Sequence, residues 1–338
     1  MSSLLKENNS LVSFHMPNTF PSIAISGLGS VTVTIIHALY QNKVPFKILC
    51  RNENRLQTLS KTPLRFKGPN GKVTEIDLKD HLTNINKNTE KYDYIFIGCK
   101  NQNLNEYLEE TKVLLSSTGK WILIQNGIPE SHFEAYQDKI IGGVVGWNTQ
   151  TLADGLYYQS NVGSLILGEA KGIKPNLFWN QILPPFLPVI LTDKLNGFRW
   201  HKLAINSIIN GLAAAKHQSL GELFLNKKSR DEALETLTEI KQIINKLNIE
   251  EQVVPGSFPI AKLGSGKGSL PTWIRHLILI VLGLKYFRIR TSMVQDLDNG
   301  RKTEIDYING EVVTIAKELN VPAPKNEWIV SKVKERTK

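Results

Sequence analysis

A helix that opens directly behind an apolar strand, with two glycines between them, leaves a chain few folds to adopt. "SIAISGLGS" is such a junction: a short apolar run breaks at Gly27-Leu28-Gly29 and gives way to "VTVTIIHALYQNK". The pattern predicts strand, tight turn and helix, the context in which G-x-G marks a dinucleotide site. Gly27 allows the turn. Gly29 lets a pyrophosphate approach the N–H groups at the helix N-terminus, with Leu28 and Ser30 completing the loop. The third position of G-x-G-x-x-G is Thr32. A glycine there serves helix–sheet packing, so its loss weakens the match without removing the phosphate contacts.

Further strands follow in alternation with helices. "PFKILCR" is one, and "YDYIFIGCK" (92–100) is another, followed by a helix from about Asn103 to Leu115. "KWILIQNG" (120–127) precedes a short helical stretch. Such alternation implies a mostly parallel sheet, an α/β Rossmann-type domain. "IIGGVVGWNTQTL", "GLYYQSN" and "SLILGE" suggest added strands at the end of that sheet, with antiparallel pairing open to them. "LPPFLP" (183–188) breaks the pattern. Helices are then expected over Phe198–Ala215, Ser229–Leu247, about Pro271–Leu284 and Thr303–Leu319, with "LGSGKGSLP" as a flexible loop. A length of 338 residues suits two domains. The expected division is a polar tail over 1–21, a nucleotide-binding domain over 22–192 and an all-α domain over 193–338.

The second strand ends "ILCRNENR". An NAD site expects an acidic residue there for the ribose hydroxyls. Arg51, helped by Asn52 and Arg55, would instead hold a 2′-phosphate, which favours NADPH as the cofactor. The plain alternative is a solvated arginine. Lys100 in "CKNQ" and Asn126 in "QNG" lie just past the ends of two further strands, where parallel sheets bind ligands. An Asn-Gly pair also makes an ordinary turn, and the residues alone leave both readings open.

"WHKLAINSIINGLAAA" reads as a mostly apolar helix that carries Lys202, Asn206 and Asn210 four residues apart. At about 100° per residue, each step of four drifts only about 40°, so the three share one side. A lysine whose pKa is lowered by burial can protonate a carbonyl oxygen as hydride arrives. The asparagines could hold a substrate hydroxyl or carboxylate. A snorkelling lysine beside two backbone-bonded core asparagines would look the same in sequence.

The net charge is +10. No nucleic-acid motif and no run of five like charges accompanies it, so a basic surface attracting small anions is preferred to nucleic acid. "WIRHLILIVLGLKYFRIR" (273–290) has too short an aliphatic core to span a bilayer, which takes about 20 apolar residues. Its basic flanks suit an anionic lipid surface, but a buried helix or a contact between copies, as in a homodimer, is the preferred reading. Cys50 and Cys99 read as small buried fillers, too few for a disulfide framework or metal cluster. The opening segment ending "SFHMPNTF" lacks a signal-peptide pattern. A reducing cytoplasm is the expected setting.

Taken together, "GLGS", "CKNQ", "QNG", "WHKLAINSIIN", "GEL" (221–223) and "SMVQDLDNGRKTEIDYING" resemble the ketopantoate reductases in order and spacing, from about Ile23 to Val333. The last motif is the most specific. The resemblance implies a Rossmann domain, a helical domain and an active site in the cleft between them. It implies NADPH-dependent reduction of 2-dehydropantoate to pantoate, a step toward pantothenate and coenzyme A. It also implies Lys202 as general acid, Asn206 and Asn210 as substrate contacts, and Asn126 near nicotinamide and substrate. Ser292 would meet the substrate carboxylate, and Glu304 would sit by the lysine. An anion near Lys202 would keep its ammonium protonated and oriented, and an early helical position suits a carboxylate. Read without the resemblance, Ser292 is a helix cap and Glu304 a helix N-terminal charge.

The chain departs from that family at several points. Leu220 precedes the "GE" pair where an asparagine is frequent, and Ile289 stands three positions before the "SM" serine where a polar residue is frequent. Pro129 follows "NGI", Thr32 replaces a glycine, and Pro255–Arg290 is long. A different 2-oxo acid substrate is therefore a competing expectation, since losing a hydrogen-bond partner relaxes specificity. Arg288 or Arg290 could supply a carboxylate contact. A non-catalytic NADPH-binding protein and a membrane-associated protein are the readings from other classes.

Overall fold

A computed structural model describes residues 20–337. The expected polar tail falls almost wholly outside them. The elements, in chain order, are β1 (Ile23–Ser26), α1 (Ser30–Gln41), β2 (Lys47–Cys50), α2 (Glu53–Lys61), β3 (Leu64–Lys67), β4 (Val73–Ile76), β5 (Leu82–Asn84) and β6 (Tyr92–Ile97). Then come α3 (Leu104–Lys112), β7 (Leu115–Leu123), β8 (Ile140–Val145), β9 (Thr149–Thr151), β10 (Tyr157–Gln159), β11 (Leu165–Glu169), α4 (Trp179–Ile182) and β12 (Val189–Leu191). Nine helices' worth of chain follow as α5 (Leu195–Asn206), α6 (Ala213–Lys216), α7 (Leu220–Leu225), α8 (Lys227–Lys246), α9 (Ile260–Leu263), α10 (Thr272–Lys285), α11 (Ser292–Asp298), α12 (Asn309–Glu318) and α13 (Pro324–Arg336).

The main sheet has eight strands in the order β12-β11-β8-β7-β6-β1-β2-β5. All its pairings are parallel except β8 with β11. Both of its faces are covered, which is why its strands read as unbroken apolar runs. Ile23 and Ile25 face one side with Phe96, Ile122 and the α1 residues Val33, Ile35 and Ile36. Ala24 faces the other with Ile95, Ile97, Trp121 and the α3 residues Leu104 and Leu108. Each such fully buried Ile or Leu stabilises the fold by roughly 1.5–3 kcal/mol relative to exposure.

The added strands behave differently from one another. β11 pairs antiparallel with β8 and parallel with β12, the edge strand at that end of the sheet. The "GLYYQSN" segment leaves the sheet and joins a second, four-stranded one, ordered β4-β3-β10-β9. β3 and β4 form a hairpin that the hydrophobic pattern did not announce, because Val73–Ile76 is largely exposed. The expected helix from Asn103 is shorter, since the chain turns at Val113–Leu114 and enters β7 at Leu115. After Asn126 the short helical stretch is two 3₁₀ turns, Pro129–His132 and Glu134–Lys139.

The helical half packs around α5 and its continuation. Leu203, Ala204, Leu212 and Ala213 meet Leu237, Ile240 and Ile244 of α8, Val312 of α12, and Ile329 and Val333 of α13. The expected Phe198–Ala215 helix is continuous but not uniform: Ser207–Leu212 is a π-helical turn. The expected Thr303 helix begins later, with a 3₁₀ turn at Ile305–Tyr307 and α12 only from Asn309. The glutamate of "GEL", Glu222, closes a capping box: its side chain accepts from the Ser219 N–H at 2.7 Å, and Ser219 Oγ accepts from the Glu222 N–H at 3.3 Å. No helix among the described residues is long and apolar enough to cross a membrane. Nor does any group of three or more His, Cys, Asp or Glu among them suit a metal ion.

Candidate active site

The Gly27–Gly29 turn lies between β1 and α1, at the point where the chain leaves the middle of the sheet. Gly27 has φ +97°, and a Cβ there would lie 3.0 Å from the Gly98 carbonyl carbon. Only glycine suits that position. Thr32 takes the third place of the motif without disturbing it. Its hydroxyl accepts from the Gly29 N–H at 2.9 Å and lies 3.0 Å from the carbonyls of Gly27 and Gly29. The room comes from Gly98, past the end of β6, where a Cβ would fall 2.4 Å from Thr32 Cγ2. The absence of a side chain at Gly98 thus makes room for both Thr32 and the Gly27 carbonyl.

A cavity of about 190 Å³ opens beside the turn, lined among others by Gly27, Leu28, Arg51, Asn52, Arg55 and Tyr107. Arg51 stacks its guanidinium 3.5 Å over the Tyr107 ring. It donates from Nη1 to Glu106 at 3.0 Å and lies 2.6 Å from Glu110. Its Nη2 is buried without a hydrogen-bond partner. Arg55 donates to the Leu28 carbonyl at 3.0 Å, and Asn52 caps α2 by accepting from the Arg55 N–H. The donor set therefore fits an anionic dinucleotide: a glycine turn at a helix N-terminus, and a guanidinium with one unspent buried N–H pair. The sharing of Arg51 by two carboxylates of α3, Glu106 and Glu110, is not legible in the sequence.

The polar stripe of α5 and the π turn forms a relay with the sheet. Ser292 Oγ donates to Asn210 Oδ1 (3.4 Å), Asn210 Nδ2 to Asn206 Oδ1 (3.2 Å), and Asn206 Nδ2 to Asn126 Oδ1 (3.3 Å). The π turn helps: its wider winding offsets the drift that a pure α-helix gives residues four apart. Such a turn leaves backbone carbonyls without their usual donors. Asn309, fully buried, supplies one by donating to the Ser207 carbonyl at 3.3 Å and to Asn326 Oδ1 at 2.9 Å. The asparagine of "YING" therefore supports the helix that carries the stripe.

Lys202 heads the stripe. Its Nζ donates to the Val145 carbonyl at 2.6 Å, at the end of β8. Burial is the main cause that lowers its ammonium from 10.5 to about 7; the Arg199 charge lowers it further and Glu304 opposes. Arg199, one turn earlier and 2% exposed, donates to the carbonyls of Leu123 (2.9 Å) and Gln125 (2.7 Å) and pairs with buried Glu130. That pair fastens α5 to the end of β7, directly before Asn126. It was not legible in sequence; a charged residue inside an otherwise apolar helix turn was the only signal.

Glu304 does not touch Lys202. It accepts from Asn101, from the backbone N–H at 3.3 Å and from Nδ2 at 3.1 Å, and Asn101 Nδ2 also donates to the Asn126 carbonyl at 2.9 Å. Asn101 thus joins Glu304 to Asn126, and sequence reasoning passed over it although it sits inside "CKNQ". Lys100 pairs with Asp296 of α11 at 2.8 Å. Gly127, with φ +84°, lies so close to the Tyr307 carbonyl that a Cβ would stand 2.3 Å from it. The motifs of the two halves interlock there. Leu220 is buried in the helical core, Ile289 is exposed, and Arg290 is engaged by Asp298 at 2.8 Å. Cys50 is buried and Cys99 half-buried, with burial pushing the Cys99 thiol up to about 12.

The family model "Ketopantoate reductase PanE/ApbA" matches residues 23–172, and "Ketopantoate reductase PanE/ApbA C terminal" matches residues 194–337. A 2-dehydropantoate 2-reductase of Pyrococcus horikoshii is 27% identical over 271 residues, which span 75% of this chain and 82% of the relative. The fold is similar to that of a PanE/ApbA family ketopantoate reductase from Ralstonia eutropha JMP134, with TM-score 0.76, 18% identity and coverage of 94% and 98%. It is equally similar to D-mandelate dehydrogenase solved with NADH and anilino(oxo)acetate, with TM-score 0.75, 19% identity and the same coverages. At these identities the two structures speak for the fold alone.

Proposed function

This chain belongs to the ketopantoate reductase family, and from that premise we propose that it reduces 2-dehydropantoate to (R)-pantoate with NADPH, on the way to pantothenate and coenzyme A. The observation that carries the reading is Lys202, lowered to about 7 and standing at the head of a row of amide side chains. A general acid works best when its pKa lies near the working pH.

In this reading NADPH, when bound, supplies the hydride. The Gly27–Ser30 loop and the α1 N-terminus would hold its pyrophosphate, and Arg51 its 2′-phosphate, with Lys100 and Asn126 at the neighbouring strand ends. Lys202 gives its proton to the substrate carbonyl oxygen. Asn206 and Asn210 take the substrate's hydroxyl and carboxylate, and Ser292 adds to the carboxylate. Asn126 meets substrate from the sheet side. Glu304 acts on Lys202 through the field, and through Asn101 it fixes the Asn126 backbone. The expected setting is the cytoplasm.

A second reading, reduction of a different 2-oxo acid, is favoured by Leu220 lying in the core and Ile289 facing solvent. Neither offers a hydrogen bond to substrate. NADPH oxidation against a panel of 2-oxo acids that includes 2-dehydropantoate separates the two. Turnover of 2-dehydropantoate above the rest supports the first; its absence, with turnover of another acid, overturns it.

A further inference from the structure

The outer face of α10 is apolar along its whole length. Trp273, Leu277, Val281 and Leu284 are 68%, 49%, 54% and 61% exposed. At about 100° per residue they fall within an arc of about 80°. Arg275, Leu279 and Gly283, on the opposite side, are the buried positions of the helix. The exposed stripe continues through Tyr286, Phe287 and Ile289. A contiguous patch of this kind on a soluble chain marks a docking surface.

Charge identifies the occupant. From residue 252 to residue 295 the chain has no Asp or Glu, yet it carries Lys262, Lys267, Arg275, Lys285, Arg288 and Arg290. Arg275 turns inward, donating to the Leu263 carbonyl, Ser265 and Thr272, and Arg290 is paired with Asp298. The other four are exposed and have no carboxylate partner among the described residues. Lys262 and Lys267 lie toward the start of α10, where the Leu270 N–H donates to the Lys262 carbonyl. Lys285 and Arg288 lie at its end. A second copy laid on this stripe would bring these unpaired cations together, because the carboxylates of α8 that flank the start of α10, Asp231 and Glu235, are engaged by His276 and Lys325. An apolar stripe with an aromatic residue at each end and cations beyond both suits the headgroup boundary of an anionic bilayer, with the helix in the plane of the surface.

We propose that the outer face of α10, with Tyr286–Ile289, docks on an anionic lipid surface. The test is flotation of the full chain with vesicles of phosphatidylcholine alone and of phosphatidylcholine with phosphatidylserine. Binding is expected to the second and not the first, and to weaken with salt. Leu277→Asp/Leu284→Asp, at exposed positions, should abolish it while the thermal melt is retained. Lys285→Ala/Arg288→Ala should weaken it about fivefold per cation removed. Loss of all vesicle binding in the wild type overturns the proposal. So does phosphatidylserine binding that neither double variant reduces, which would assign it to net charge elsewhere. Sedimentation showing a dimer that Leu277→Asp/Leu284→Asp dissociates would give the stripe to a second copy and overturn it as well.

Discussion

With Lys202 as the proposed proton donor, the pH dependence of the reductase reaction follows from the surroundings of that lysine. The difference between 10.5 and about 7 corresponds to about 5 kcal/mol favouring the neutral amine, at 1.36 kcal/mol per decade. Only the ammonium can donate. About half of the enzyme is competent at pH 7 and about one part in a hundred at pH 9, so kcat/KM should fall about fifty-fold between them, with a limiting slope of one decade per pH unit. The cation at Arg199 contributes to the lowering. Its single removal would strand buried Glu130, at a cost of about 3–5 kcal/mol, so the informative variant is Arg199→Met/Glu130→Gln. That variant should shift the alkaline limb to higher pH, because one of the two causes of the lowering is gone. The assay is initial-rate NADPH absorbance across pH 6–10 at subsaturating substrate. A wild-type profile flat to pH 9, or a limb that moves to lower pH in the double variant, would refute the argument.

Other outcomes follow from the same geometry. Lys202→Ala should lower kcat by about 10²-fold or more while NADPH still binds, the usual span for a general acid; an unchanged kcat would remove Lys202 from the chemistry. Because the folded pKa of Lys202 is depressed, the unfolded chain binds more protons between about 7 and 10.5, so this group makes stability rise with pH across that window. Lys202→Met should therefore raise stability at pH 7 by about 2 kcal/mol, taking under half the full value for a partly exposed side chain, and the advantage should vanish as pH approaches 10.5; urea titrations at pH 7 and 10 check the sign. Asn309→Ala leaves the Ser207 carbonyl and Asn326 Oδ1 without their donor and should cost about 1–3 kcal/mol, read by denaturant midpoint. Arg51→Asp should raise KM for NADPH far more than for NADH; equal effects would contradict a 2′-phosphate contact.

Much of the candidate site's geometry was legible because it is periodic or sits at a strand end. The Lys202-Asn206-Asn210 stripe is a statement about helical angle, which α5 keeps as far as Asn206 and the wider winding of the π turn alters without taking Asn210 out of reach of Asn206. The glycine turn is equally local. Asn101 was missed for the opposite reason: its partners Asn126 and Glu304 are 25 and 203 residues away, and no spacing rule links them. The same holds for Gly98, whose missing side chain answers a methyl group on Thr32. The β3–β4 hairpin escaped because its outer strand exposes Val73 and buries mainly Ile76, which leaves no alternation to detect. The exposed face of α10 looked like core because aliphatic content reports what a helix is made of, not which neighbours are left to cover it.

The π turn at Ser207–Leu212 has a consequence for how length encodes this site. Such a turn holds one residue more than an α path between the same ends. Deleting a single residue there would let α5 run on as unbroken α-helix between the same ends, so the helix beyond Leu212 keeps its place and only the register inside the turn changes. Lys202 and Asn206 precede the turn and would keep their places, while Asn210, inside it, would change its angle to Ser292. The Asn210–Ser292 contact is therefore separable from Lys202 and Asn206 by a one-residue change in count, with each of these side chains still present.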